Sequence, residues 1–181
     1  MQTFLPYEDF EASARCLDRA RLGKQRVEAM MIGKIITDHP DAAKWRGWIS
    51  HPAVTMWRGS ATWLLLYGSI VCDEWRKRGY VDNLGRWFDV ELCKRCFVQD
   101  DPYPVWLGNE WFHYSHQSNL VRKNLEFYGN QFAAVHPGMP YLWPKSNISA
   151  EFTNSFRISQ IADQFRLNFK DPISSSGPHL M

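Results

Sequence analysis

Between Pro52 and Gly79 the chain carries Val54, Trp57, Ala61, Leu64, Leu65, Gly68, Val71, Cys72 and Trp75, spaced mostly by three and four. At about 100° per residue these positions share one face, so the stretch predicts a central packing helix over about 52–78. Ser50-His51-Pro52 supplies an N-cap-like signal with proline just inside the helix. Arg76-Lys77-Arg78-Gly79 puts cations and a glycine where a helix C-terminus prefers them, which accounts for that basic cluster; phosphate contact is its alternative use.

The remaining segments also read as helices. Acid at Glu8, Asp9 and Glu11 suits a helix start, and a helix then runs to about Thr37. Gly23 inside it costs about 1 kcal/mol relative to alanine, which marks either a break between two helices or a close approach by a ligand or backbone. A short amphipathic piece follows at 42–49. Residues 80–110, with Gly85, Pro102, Pro104 and Gly108, form a long irregular excursion with a short helix near 87–97. A further helix spans about 109–128, and an aromatic, proline-punctuated segment over 129–144 closes the fold. The tail holds one helix over 155–169 and a flexible Ser/Gly/Pro end. The expected fold class is mainly α: a compact single domain over 1–144 with a C-terminal extension over 145–181.

At 181 residues the chain can bury one real core. Its net charge is only +2, so any phosphate binding must rest on local positive charge. Nine Trp, seven Tyr and eleven Phe are more rings than a domain of this size needs; most belong to the core, and the rest are able to stack on bases. No stretch reaches the roughly 18–20 apolar residues of a membrane span, and no leader is evident, so the expectation is a cytoplasmic protein without a membrane partner. Four scattered cysteines do not make a disulfide framework. Cys93 and Cys96 have the spacing of half a zinc site, which Cys16, Cys72 or a histidine would have to complete; free thiols are the other reading, and no metal or cofactor is assigned.

The run Leu17 to Glu28 holds the candidate chemistry. Asp18, Arg21, Gln25 and Glu28 fall on one helical stripe, with Leu17, Ala20, Val27 and Met31 on a drifting apolar side. Glu28 ends the polar stripe where Met30, Met31, Ile32, Ile35 and Ile36 take the helix into the core. Desolvation there raises a carboxyl pKa unless Arg21, Lys24 or Arg26 pulls it down. The plainer use of Glu28 is an i,i+4 pair with Lys24 worth about 0.3–0.5 kcal/mol. Five basic residues between Arg15 and Arg26 suit phosphate neutralisation or solubility. His113 and His116 are three apart and share a face, a spacing open to metal ligation, acid/base work or hydrogen-bonded core positions.

Three blocks together resemble the pyrimidine-dimer DNA glycosylases typified by phage endonuclease V: Leu17 to Glu28; Cys72-Asp73-Glu74-Trp75-Arg76-Lys77-Arg78-Gly79-Tyr80; and His113 to Lys123 with Tyr128. Within that family the chain looks most like a bacterial and phage branch whose members begin much as Met1-Gln2-Thr3-Phe4-Leu5-Pro6 does. The likeness extends over about residues 1–144; the 82–105 excursion and the 145–181 tail have no counterpart in it.

The resemblance implies a helical domain that binds double-stranded DNA, flips a nucleotide out and cuts its N-glycosidic bond. An N-terminal amine attacks the sugar C1′ to give a Schiff base, and a glutamate on the first long helix acts as acid/base and permits β-elimination. That glutamate corresponds to Glu28. Gln2 is large and leaves Met1 in place, so the nucleophile is the Met1 amine; an α-amine with a pKa of about 7.7–8.0 is partly neutral at pH 7. Arg21, Lys24 and Arg26 map to the family's phosphate contacts on the first helix, and Arg122 and Lys123 to those on the last.

Asp18, Gln25, His51 and His116 complete the expected substrate-binding set. The leading expectation is a DNA N-glycosylase with or without AP-lyase activity on a damaged or modified base. An enzyme acting on free nucleotides or nucleosides, using Glu28, Asp18, His51 and His116, is one alternative, and a non-catalytic nucleic-acid-binding or protein-binding module is another. No obligate protein partner is evident.

Overall fold

The computed structural model describes residues 1–95 and 101–145, and every regular element among them is helical. The helix expected over 7–37 is two, α1 (Phe10–Cys16) and α2 (Arg19–Ile36). The break falls at Leu17-Asp18, both in extended backbone. Asp18 is therefore no mid-helix residue but the N-cap of α2, its carboxylate accepting the Arg21 N–H at 2.8 Å. Gly23 is the close approach: a Cβ there would stand 3.0 Å from the Trp75 ring.

A 3-10 helix (Pro40–Trp48) with no buried residue occupies the place of the expected amphipathic piece. The packing helix also divides, into α3 (Pro52–Thr55) and α4 (Ala61–Lys77). Between them Gly59 takes φ +80°, a left-handed conformation that a Cβ disfavours. The apolar spacing gives no sign of this turn because Met56 and Trp57 within it are fully buried.

α4 buries Leu64, Leu65, Tyr67, Val71 and Cys72 and packs against α1, α2 and α5 (Gly85–Arg95). Gly68 lets α5 come close, since a Cβ there would meet the Phe88 ring at 2.1 Å. Beyond α4, Arg78 donates to the carbonyls of Ala14, Arg15 and Leu17 at 3.2, 2.9 and 2.7 Å, so this cation closes the end of α1. Arg26 is likewise structural: it pairs with Asp82 at 2.7 Å and lies over the Trp75 ring.

The helix expected over 109–128 is α6 (Glu110–Lys123) followed by α7 (Leu125–Tyr128), which Asn124 caps. After α7 the chain through 144 buries Phe132, Met139 and Leu142. The helix expected over 155–169, the flexible end and Cys96 lie outside the described residues. None of the described helices is long and apolar enough to cross a membrane.

The N-terminal arm decides where the site lies. Residues 2–6 are buried with no strand beside them, so side chains must satisfy their backbone groups. Gln25 on α2 accepts the Phe4 N–H at 2.8 Å and donates to the Gln2 carbonyl at 2.9 Å. Tyr67 on α4 donates to the Phe4 carbonyl at 3.0 Å. On α6, His116 Nδ1 accepts the Leu5 N–H at 3.2 Å, His113 Nδ1 donates to the Leu5 carbonyl at 2.8 Å, and Gln117 donates to that of Pro6 at 2.7 Å. The arm is thus held between α2, α4 and α6 much as a strand is held in a sheet.

Candidate active site

The arm delivers the chain's amine to Glu28. One Glu28 oxygen accepts the Gln2 N–H at 3.0 Å and a Gln25 side-chain N–H at 3.3 Å. The other stands 3.8 Å from the Met1 amine and 3.5 Å from Lys24 Nζ. The expected surface pair with Lys24 is present, but the Glu28 side chain is only 10% exposed, so it serves the interior as well. Met1 buries its side chain to 1% exposure while the residue as a whole stays part-exposed. Its accessible surface is therefore backbone.

Cations gather on the solvent side of this pair. Arg21 lies beside Asp18, over the Tyr128 ring, and donates to the Lys123 carbonyl at 3.1 Å. Desolvation and the charges of Arg21, Arg122 and Lys24 together push the Lys123 ammonium below its ordinary pKa, against the pull of Glu28. Burial works to raise the Asp18 carboxyl, but the Arg21 N–H and guanidinium outweigh it and hold the group ionised below its usual value. Tyr141 reaches the same field: burial raises its hydroxyl pKa, Arg122 and Arg21 oppose, and Glu28 adds to the rise.

His51 lies within the field of the Met1 amine. Its Nδ1 accepts the Ala53 N–H at 3.1 Å as the N-cap of α3. Desolvation and the positive charge of the Met1 amine hold its pKa below the usual histidine value.

Of the residues expected at the site, the structure brings together Met1, Glu28, Arg21, Lys24, Arg122, Lys123, Asp18 and His51. Of the other three, Gln25 donates to Glu28 and, with His116, also fully buried, holds the arm, and Arg26 faces Asp82. Burial and neighbouring His113 keep His116 well below the usual pKa, hence neutral, and its Nδ1 acceptor role puts the proton on Nε2. His113 accepts the Gly108 N–H at its own Nε2, so the two rings are arm clamps and not a ligand pair. Among the described residues no group of three or more His, Cys, Asp or Glu is placed to hold a metal ion.

The rings of Tyr141, Trp143 and Trp48 near His51 escape a search by residue spacing. Their common location comes from the closing segment folding back over the arm, and only the density of aromatic residues hinted at it.

Residues 1–87 match the family model described as pyrimidine dimer DNA glycosylase. Over this N-terminal part the chain is similar to that family. The pyrimidine dimer DNA glycosylase match spans the arm, Glu28, Lys24, Arg21 and His51, and ends before α6 and the closing segment that complete the surround. No curated protein and no solved structure matches the chain.

Proposed function

We propose that the protein is a DNA N-glycosylase with AP-lyase activity, acting on a damaged or modified base in duplex DNA through the Met1 amine and Glu28. The observation that carries this reading is the amine, 3.8 Å from a mostly buried carboxylate, with its own side chain anchored. The match of residues 1–87 to a family model named for a DNA glycosylase supports it. Arg21, Lys24, Arg122 and Lys123 are the cations for the phosphates on either side of the extruded nucleotide.

The chemistry follows from the two groups. The neutral amine forms a bond to C1′ as the C1′–N bond to the base breaks, and the base leaves with the bonding pair and takes up a proton. Glu28 accepts the proton that the amine nitrogen sheds, and its negative charge stabilises the cationic character at the sugar. The C1′–O4′ bond then breaks, O4′ taking the proton that Glu28 holds while the nitrogen lone pair forms the C=N bond of an iminium, which acidifies the C2′ hydrogen. The regenerated Glu28 carboxylate takes that proton as the C3′–O bond breaks, expelling the 3′ phosphate by β-elimination and cutting the strand.

Borohydride reduction in the presence of abasic duplex DNA tests this directly: a covalent protein–DNA adduct is expected. Blocking the α-amine by carbamylation is expected to abolish it. Glu28→Gln keeps an oxygen for the Gln2 N–H while removing the charge, and is expected to lower turnover by about 10²–10⁴-fold. A wild-type protein that gives neither an adduct nor base release across a panel of lesions refutes the proposal.

A further inference from the structure

A run of rings leads from solvent to the N-terminal arm. Trp48 and its neighbour Ile49 are each 40% exposed, in a chain that buries Trp57 and Trp106 completely. Trp48 lies 5.4 Å from His51, His51 lies 5.8 Å edge-on from Trp143, and Trp143 lies 5.6 Å from Tyr141. Tyr141 in turn meets Phe4 and His116, which belong to the arm and its clamp. The set is therefore a continuous aromatic edge along the arm that ends in Met1.

The middle ring has a fixed chemical character. Because Nδ1 accepts the Ala53 N–H, the neutral imidazole carries its proton on Nε2, and that N–H has no hydrogen-bond partner among the described residues. His51 thus offers one outward donor and no free acceptor.

We propose that the Trp48 and Trp143 rings form a shelf on which the base of the extruded nucleotide stacks, while His51, tilted 54° from Trp48 and 84° from Trp143, donates its in-plane Nε2–H to an acceptor on the base edge. This rests on the duplex-DNA reading above and names how that substrate is held. A base is bonded directly to C1′, so a base seated beside the amine brings C1′ within its reach, which the phosphate-facing cations alone do not do. Stacking on rings accepts any base, while the lone donor favours a base presenting a carbonyl oxygen or ring nitrogen over one presenting only an amino group.

The test uses a duplex carrying 5-iodouracil opposite a tetrahydrofuran abasic analogue, irradiated with long-wavelength ultraviolet light and digested for mass spectrometry. The adduct is expected on the peptides of Trp48 or Trp143, and to be absent with a fully paired duplex of the same sequence. Adducts elsewhere, none at all, or equal yields from both duplexes overturn the shelf.

Trp48 is surface-exposed, so Trp48→Ala is expected to keep the wild-type melting temperature. It is expected to weaken binding of the extruded-base duplex about 5- to 100-fold more than that of the paired one; equal losses refute stacking. For the donor, difluorotoluene replaces the uracil ring with the same shape and no strong acceptor. Wild type is expected to prefer the uracil probe several-fold and His51→Phe to lose that preference; a preference retained by the variant removes the donor. If crosslinks map to the shelf but borohydride traps nothing, the amine chemistry fails and the shelf stands. If borohydride traps the protein but no crosslink maps to the shelf, the shelf fails and the amine chemistry stands.

Discussion

Arg26 and Glu28 are two residues apart on α2 and both are buried, yet they serve opposite sides of the helix. Arg26 meets Asp82 at 2.7 Å, an aspartate whose side chain is 1% exposed, whereas Glu28 turns to the arm. Burial works to raise the Asp82 carboxyl, but the Gly85 and Leu84 N–H groups with Arg26 and Arg76 hold it ionised. Asp82→Asn leaves a buried guanidinium without its carboxylate and is expected to cost about 3–5 kcal/mol in urea unfolding. Glu28→Gln, which keeps its acceptor, is expected to change stability far less. A stability loss at Asp82→Asn no larger than at Glu28→Gln contradicts the assignment of Arg26 to the frame. The polar stripe made Glu28 legible as a residue where charge meets core. It did not reveal the Asp82 partner of Arg26, which the resemblance offers as a phosphate contact, because 21 cationic side chains look alike until their partners are known, and this partner lies 56 positions along the chain.

Among the elements, α6 does two jobs from two parts of its length. His113, His116 and Gln117 grip the arm, and Arg122 and Lys123 at its C-terminal end face solvent. Removing those two cations by Arg122→Ala and Lys123→Ala is expected to weaken duplex binding. It is also expected to flatten the slope of log K against log salt by about 0.9 for each phosphate no longer neutralised, read by fluorescence anisotropy. An unchanged slope removes them from the DNA interface.

The helices themselves were readable from apolar spacing, and their interruptions were not. α1 ends where Arg78 takes its carbonyls, and the first turn of α4 is capped by Asp101, which accepts the Thr62 N–H at 2.6 Å. Neither device leaves a trace in the local sequence. The arm was unreadable as structure for a related reason: it bonds to side chains on three helices, so no periodicity marks it.

Across the whole molecule, three histidines are neutral because of where they sit. Desolvation lowers the pKa of His51, His113 and His116, with the Met1 amine adding to the effect at His51 and His113 adding to it at His116. In the unfolded chain each titrates near pH 6.5. The folded state binds fewer protons below that value, so the stability is fully present above about pH 6.5 and is lost as pH falls through and below it. Thermal melts are expected to be flat above neutrality and to drop between about pH 6.5 and 5, with His116→Gln flattening the curve. A melting temperature constant across that range refutes this account. Asp18 and Asp82, whose carboxyls are held below their usual values, add their own loss only at more acid pH, below about 4.

The grip on Leu5 also makes the arm a ruler. From the clamp at Leu5 to the amine at Met1 the chain runs four residues, and an extended backbone advances about 3.3 Å for each. One residue added between them overshoots the carboxylate by nearly the whole of their present 3.8 Å separation, and one removed falls short by as much. Phe4 and Leu5 are buried and Thr3 accepts the Trp57 indole N–H at 3.0 Å, so composition is constrained here by packing. The number of residues is a second constraint, set by the reach from clamp to carboxylate.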